Sequence, residues 1–588
     1  MRLVFDVETD GLLRGLSVVH CLVTHDLDTN EVRRYDDSGT RETVTTGLNY
    51  LAEADELWGH NIVGYDFEAI KEIYPFFEPK GKVYDTLILS RLLFTDMLDR
   101  DFRQRPANMP GNLYGRHSLE SWGYRLGVLK SEYGKQLNGD WHVYTPEMLE
   151  YCAQDVEVSV ALAKLFEPKL EEYAKAIDTE HKLAALMAWQ EREGFPFNIR
   201  KAQKLEGSLR KELEAISDEM KSTFTFVDAG PFIPARDNST KGYFKGVEFN
   251  KLKDFNPTSR DHIAWAFQTH RGWEPTEFTD TGRPRIDADV LKEVGTPEAL
   301  KFARILELQK HLGQLSEGQN AWLKKVEGDE RIHHSCILNT NTGRMAHMKP
   351  NLAQVPTGHE YRELFHAGAG RLLVSADAAG LELRCLAHYL ARYDGGKFAK
   401  EVVEGDIHQA MADISGVDRK TQKGVTYCLI YGGGDMKLGL TAGASKHDAV
   451  RRGKELRNRL LTGIEGFADL VAAVQQRAKS GVLTALDGRP IRLQGKSHAA
   501  LNYLLQSCGA ILCKAWVLRA NELAKEAGID YWPVEFIHDQ QSWSVAPEDV
   551  DKALFCITSA IKDVESAYSF RSPLDCDPKS GSTWAEVH

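Results

Sequence analysis

Arg419, Lys423, Tyr427 and Tyr431 recur every fourth residue and run straight into Gly432-Gly433-Gly434. Residues four apart share a helix face. The spacing therefore predicts a helix over 419–431 carrying one slowly drifting stripe, ~18 Å long at a rise of ~1.5 Å per residue. A stripe that packs into a core is apolar throughout, whereas this one opens with two cations. A guanidinium and an ammonium near the positive end of a helix dipole suit phosphate groups. The two phenol rings beyond them suit a sugar and a base, and the glycines stop the helix. Such a helix needs a partner element that brings reactive groups to it. At 588 residues, the chain is long enough for several domains.

The partner groups are acids. Arg371-Leu372-Leu373-Val374-Ser375-Ala376-Asp377 reads as an apolar strand ending in a carboxylate, and a helical segment from Ala378 through Glu382 to Arg384 follows it. Val534 to Val545 reads as two strands hinged at His538–Gln541, which puts Asp539 at a hairpin tip. An Asp at a strand end and an Asp at a hairpin tip meet above one sheet. That pair suits two magnesium ions for in-line attack of a 3′-oxygen on a triphosphate.

A second acidic set lies near the start. Leu3-Val4-Phe5 predicts a buried strand, and Asp6 and Glu8 after it face the same way because strand side chains alternate. Asp66 closes Asn61-Ile62-Val63-Gly64-Tyr65-Asp66, and Asp155 lies in a helical pattern four residues after Tyr151. Four acids converging in one pocket repel one another unless divalent cations hold them, and magnesium suits oxygen ligands. Tyr151 is a candidate to position the attacking water. Asp85 reads as structural. The segment from Gly115 to Gly127 mixes basic and aromatic residues: it suits a single nucleic-acid strand, and equally a helix packing Leu119, Trp122 and Leu126.

The net charge of −12 does not itself suggest a nucleic-acid partner, yet a processing enzyme needs only a local basic groove. Nine cysteines without a CxxC pair suggest neither a zinc site nor a disulfide framework. No apolar run approaches the ~20 residues of a membrane span, and the acid at Asp6 comes too early for a secretory leader. A cytoplasmic location is expected. Between the two acidic sets, Lys201–Ser222 is helical in pattern. Thr296-Pro297 starts a second helical stretch toward Val326, with Gly313 and Gly318 as points of division, and Asp228–Arg260 reads as loops with short structure.

Taken together, Asp6, Glu8, Asp66, Asp155 and Tyr151 resemble the DEDD proofreading exonucleases of the tyrosine subtype over about residues 1–170. Asp377, the 419–432 stripe and His538-Asp539 resemble the three polymerase motifs of family A, the DNA polymerase I-like enzymes. Thr342-Gly343-Arg344 with Pro350–Pro356 resembles that family's primer-terminus motif. The resemblance implies an α/β chain: an N-terminal ribonuclease H-like 3′→5′ exonuclease (1–170) and a right-hand polymerase (171–588). The thumb is expected at about 200–330, the palm at about 331–405 and 490–588, and the fingers at about 406–489. It implies two Mg2+ ions at each site, with Mn2+ as a substitute, held by Asp377 and Asp539 and by Asp6, Glu8, Asp66 and Asp155. Arg419, Lys423, His408, Tyr427 and Tyr431 are implied to meet the nucleotide, and Glu382 to exclude a 2′-hydroxyl. Arg344, His538, Asn502 and Gln506 are implied to meet DNA, since amide and guanidinium donors in the minor groove check pairing without reading sequence.

The resemblance is nearest to replicative polymerases of short-tailed bacteriophages, because the exonuclease pattern starts at Met1. Gln540 departs from the family's Glu after His-Asp, and Ala378 and Ala379 from bulkier or hydroxylated residues. Asp228–Lys253 is too short for the thumb insertion that recruits thioredoxin, so no thioredoxin clamp is expected. Primer–template DNA and deoxynucleoside triphosphates are the expected partners of a monomer, with a replicative helicase as a candidate. The alternatives are an exonuclease-led repair enzyme with weak polymerase activity, a single-subunit RNA polymerase, which Glu382 and the exonuclease pattern oppose, and a non-catalytic scaffold.

Overall fold

The computed structural model of the chain describes residues 1–128 and 141–588. Its N-terminal part is built on a mixed five-stranded sheet. The spatial order is Val32–Asp36, Val19–Asp26, Arg2–Thr9, Glu56–Gly59 and Lys82–Asp85. The first strand pairs antiparallel with Val19–Asp26 and parallel with Glu56–Gly59. Alternation along it sorts its side chains: Leu3, Phe5 and Val7 enter one apolar core with Leu48 and Leu57. Val4, on the other face, joins Cys152 and Val156 of the helix Pro146–Phe166. Asp6 and Glu8 stay partly exposed beside that helix. Thr145 caps the helix by accepting from the Met148 amide, and Pro146 fits its first turn.

Asp85 is structural, as its place at a strand end suggests. It caps the helix Thr86–Leu93 and also accepts from the amides of Asn61 (3.0 Å) and Val63 (3.1 Å), which fixes the loop leading to Asp66. In the 115–127 segment the packing face is real. Leu119 and Trp122 are buried, the Trp122 indole donates to Ser90 at 2.8 Å, and the Arg125 fork grips Asp101 at 2.9 and 2.8 Å. Leu126 is only partly buried, and Arg116 points to solvent.

The helix Ala174–Glu193 leads from this part to the rest. Asn198 caps the helix Ile199–Thr223, and Thr296 caps Pro297–Leu312, as the Thr-Pro pair predicts. The two lie together, joined by the Arg304–Glu212 fork at 2.7 and 2.9 Å. The second helix ends at the predicted glycine division, where Gly313–Glu317 forms a wide turn before the short helix Trp322–Lys325. The stretch read as loops holds a hairpin, Phe226–Phe232 with Phe249–Asp254.

The C-terminal part centres on a four-stranded antiparallel sheet in the order Tyr531–Ile537, Gln540–Val545, Leu372–Ala378 and Cys576–Gly581. The two apolar strands follow the sequence reading, but the hinge is shorter than expected. Only His538 and Asp539 form the turn, and Gln540 and Gln541 are already paired. The predicted stripe is a helix, Arg419–Ile430, capped by Asp418. Behind the sheet runs the helix Ala500–Glu526, which corrects one expectation. By length and mean hydropathy this helix is apolar enough to cross a membrane, although 67% of that window is buried inside the protein. Asn502, Gln506, Lys514 and Arg519 interrupt its apolar surface, so no unbroken run marks it in the sequence.

A cluster of four buried charges ties this helix to Ala174–Glu193. Arg489 donates to Glu180 at 2.6 Å and to Asp487 at 2.7 Å, and the Lys514 ammonium reaches the same Glu180 oxygen at 2.7 Å. Two cations and two anions balance, so each desolvated charge is answered. Arg489→Met strands Asp487 and leaves Glu180 with Lys514 alone, and we expect it to lower unfolding free energy by about 3–5 kcal/mol in urea titrations. Lys397→Met, which breaks the exposed Lys397–Glu465 pair, should leave it almost unchanged. Equal effects would mean that the cluster is no more than a surface pair in its energetics.

Candidate active sites

The larger constellation lies at one end of the C-terminal sheet. Asp377, the penultimate residue of its strand, is opposite Gln540 on one side and Asp577 on the other. Asp539 sits at the hairpin tip, and its carbonyl accepts from the Ala378 amide at 2.9 Å, which pulls the tip against the end of the neighbouring strand. His538 takes φ 56, the left-handed conformation that a two-residue hairpin turn needs. Burial and then the nearby Asp539 push the Asp377 carboxyl up to about 6. Burial and then Glu382 push Asp539 up as well. Acids that resist ionisation in each other's presence form a place where a cation is favoured.

Glu382, in the first turn of the helix Leu381–Asp394, faces the same space. It accepts from the Tyr431 hydroxyl at 2.9 Å and lies 3.6 Å from an Arg344 nitrogen. Asp539, His538, Glu382, Arg344 and Tyr431 together line a cavity of about 160 Å³. Tyr427 stacks on Tyr431 with ring centroids 6.0 Å apart, and His408 lies 6.3 Å from Tyr427. Asn502 donates to the Tyr431 carbonyl at 3.2 Å, and Gln506 follows one turn later on the same helix face. Arg419 and Lys423 lie further along the stripe, away from the acids. Arg419 is held by Asp406 at 2.6 Å, and Lys423 is exposed.

The sequence reading missed what lies beneath Asp377. Ser375, Asp377, Gln540, Ser542 and Glu535 fall on one sheet face, because directly opposed residues point the same way. Gln540 donates to Ser375 at 3.0 Å, Ser375 meets Ser542 at 2.9 Å, and Ser542 donates to Glu535 at 3.0 Å. The Gln540 amide is thus engaged inside the sheet. Burial pushes Glu535 up to about 8, with Asp377 adding to the shift and Arg362 opposing it. Period-two polarity in Ser375–Asp377 and Gln540–Ser542 was the available signal. Asp577 gave none beyond being an acid, and it is paired with Lys579 at 3.0 Å.

The second constellation is in the N-terminal part, and the structure keeps it apart from the first. Asp6, Glu8 and the Cys152 thiol place ligand atoms within 4.8 Å of one another. Burial raises the Cys152 thiol well above its ordinary value, so it stays protonated and leaves oxygens as the ionised donors. Asp66 opens the helix Asp66–Ile73 and is buried. Desolvation, Asp85 and Asp155 push it up to about 7. Tyr151 and Asp155 share a face of Pro146–Phe166. The donors are all hard oxygens, which fit a divalent cation such as magnesium better than a soft metal. A cleft of about 610 Å³, lined by Asn61, Tyr65, Arg91, Arg192 and Lys349 among others, opens beside this part.

An acid-tipped antiparallel sheet, faced by a cationic and aromatic helix and backed by a long buried helix, defines a right-hand nucleic-acid polymerase. A solved structure described as the POL domain of Pol1 from M. smegmatis in complex with DNA primer-template and dNTP shares this fold. Its TM-score is 0.73 at 18% identity, over 99% of this chain and 96% of that one. Residues 244–586 match the family model for DNA polymerase family A. The chain is 32% identical over 713 aligned positions to the DNA-directed DNA polymerases of Enterobacteria phage T3 and Escherichia phage T7, spanning 100% of each. DNA polymerase I of Pseudomonas aeruginosa is 24% identical over 57% of this chain and 39% of its own length. The chain belongs to DNA polymerase family A.

Glu535 has a measurable consequence. Its folded-state value lies above its unfolded one, so between about pH 4.5 and about 8 the folded protein holds a proton that the unfolded chain has lost. Stability from this group is therefore full at the acidic end of that window and falls as pH rises. Glu535→Gln should flatten the decline in unfolding free energy over that window. At pH 8 it should be the more stable protein, by on the order of 3 kcal/mol. Parallel pH profiles for the two proteins would remove Glu535 as the source.

Proposed function

We propose that this polymerase extends a primer at the C-terminal acids and removes nucleotides from the primer's 3′ end at the N-terminal ones. DNA-directed DNA polymerase activity goes with the family and with the full-length T3 and T7 relatives. The reading of a second, hydrolytic centre is carried by one observation: Asp6 and Glu8, on a strand of a separate sheet, place ligand atoms within 4.8 Å of one another and of Cys152, and the buried Asp66 lies near enough to Asp155 for that acid to raise its carboxyl.

In family A polymerases generally, divalent metal ions take part. Here Asp377 and Asp539 are the residues to hold them at one centre and Asp6, Glu8, Asp66 and Asp155 at the other. When bound, such ions polarise the phosphoryl oxygens and raise the acidity of the attacking oxygen. The protein's own side chains do the rest. Arg419, Lys423 and His408 bind the triphosphate, which requires Arg419 to leave Asp406. Tyr427 and Tyr431 support the sugar and base. Glu382 denies space to a 2′-hydroxyl, and Arg344, His538, Asn502 and Gln506 donate to minor-groove acceptors. Tyr151 orients water at the N-terminal centre.

Gln540, the residue behind the repair-enzyme alternative, is bonded to Ser375 and leaves Asp377 and Asp539 as the acid pair. Primer–template DNA and deoxynucleoside triphosphates are the substrates in this reading, as they are the ligands of the solved mycobacterial domain. The working form is a monomer with a separate helicase. The hairpin at 226–254 is too short for a thioredoxin clamp.

A 5′-labelled primer on a longer template with magnesium tests both activities. With four deoxynucleotides full-length product is expected, and without them stepwise shortening. Asp539→Ala should reduce extension by more than about a hundredfold, the scale of losing a charge-stabilising group at a reaction centre. Asp6→Ala should do the same to shortening alone. Shortening that survives Asp6→Ala would refute the assignment of the N-terminal centre.

A further inference from the structure

Arg344 ends a short loop, Leu338 to Arg344, between the strands Ser335–Ile337 and Ala346–Met348. The loop is held from two directions. From the C-terminal part, the Lys514 ammonium donates to the Leu338 carbonyl at 2.8 Å, and Arg489 donates to the Asn339 side-chain oxygen at 2.8 Å. From the N-terminal part, the Thr95 hydroxyl donates to the Asn341 side-chain oxygen at 3.0 Å, and the Asn339 amide donates to the Arg91 carbonyl at 3.1 Å. The Asn341 amide completes the bridge by donating to the Arg492 carbonyl at 2.6 Å. Both asparagines thus span the seam between the two parts, each with one bond on either side. Arg492 also crosses it, 3.3 Å from Asp96.

The loop has little slack to absorb a shift. Its own turn is closed by Gly343 N–H to the Thr340 carbonyl at 2.9 Å and Thr340 N–H to the Arg344 carbonyl at 2.9 Å. Gly343 takes φ +79, and a Cβ there would lie 3.3 Å from an Arg489 nitrogen, so the backbone is pressed against the buried guanidinium. Thr95 and Arg91 are thereby tied to the turn that ends at Arg344, whose guanidinium lies 3.6 Å from Glu382.

We infer that the N-terminal part is a working component of the polymerase centre, with Thr95, Asn339 and Asn341 as positioning residues that set where Arg344 meets the primer terminus. This rests on the reading of Arg344 as the primer-terminus contact. The two carboxylate centres are then mechanically linked. A change in how the N-terminal part sits alters the site that judges the terminal pair, and the reverse holds because coupling between sites is reciprocal.

The test measures single-turnover insertion of the correct nucleotide on matched and mismatched primer termini, with the exonuclease silenced by Asp6→Ala. Thr95→Val and Asn341→Ala should each slow insertion on the matched terminus about three- to tenfold, the worth of one hydrogen bond. The mismatched rate should change little, so discrimination falls. Thr95→Ser, which keeps the hydroxyl, should restore it. The double variant Thr95→Val/Asn341→Ala should be no worse than Asn341→Ala alone, since the Thr95–Asn341 bond is already lost in that single variant. A matched-to-mismatched ratio unchanged in both single variants, with only the melting temperature lowered, would reduce these contacts to adhesion between the two parts and overturn the inference. Arg344→Ala separates the two failures. If it too leaves the ratio unchanged, the primer-terminus reading itself is wrong.

Discussion

Holding Asp377 and Asp539 together at one end of an apolar sheet is electrostatically unfavourable, and much of the C-terminal architecture answers that constraint. The strands that carry them are fixed by backbone pairing on both sides, and the hairpin tip is drawn in by the Ala378 amide. The backbone that carries each acid is thus tied into the sheet. Their neighbourhood pushes both carboxyls up, by burial first, and then through Asp539 for Asp377 and through Glu382 for Asp539. A centre of this kind is unfavourable until a cation arrives, and favours one when it does. Stability has to come from elsewhere, namely the apolar core around the helix Ala500–Glu526 and the balanced charges of Glu180, Asp487, Arg489 and Lys514.

The polar face beneath Asp377 shows how the sheet carries that load. A sheet with two apolar faces would leave the acid in a wholly low-dielectric wall. Here Ser375, Ser542, Gln540 and Glu535 bond one another in a chain, and Arg362 lies where it opposes the upward shifts of both Glu535 and Asp377. Gln540 belongs to that chain. An amide both donates and accepts, so it can bond Ser375 without adding a third negative charge beside the acid pair.

The N-terminal centre follows the same logic on a different sheet. Asp6 and Glu8 alternate with Phe5 and Val7, so one strand supplies a core face and an acidic face at once. Asp85 organises the loop before Asp66 through two backbone amides, those of Asn61 and Val63, while capping its own helix through two more, so a capping residue helps set where Asp66 sits. The seam between the two parts is polar and specific, built on asparagines, arginines and main-chain carbonyls. Polar contacts of that kind define one relative placement more sharply than apolar packing, because hydrogen bonds fail within fractions of an ångström.

Local chemistry was legible in the sequence because it depends on spacing alone. The four-residue period of Arg419 to Tyr431, the strand-end acid at 377, the His538-Asp539 tip, the Thr296 cap and the alternation at Asp6 and Glu8 each follow from helix or strand geometry. Most elements carrying the candidate residues could therefore be named beforehand. The long core helix was hidden because its polar residues break the apolar run. The strand Cys576–Gly581 was hidden because nothing in a short Asp- and Lys-containing segment marks an edge strand. What only the tertiary structure decided are the pairings between residues far apart in the chain: Glu180 with Arg489 and Lys514, Gln540 turned onto Ser375, Tyr431 on Glu382, and Thr95 joined to Asn341. Burial and register select those contacts, and both are properties of the packed whole that no local window of sequence contains.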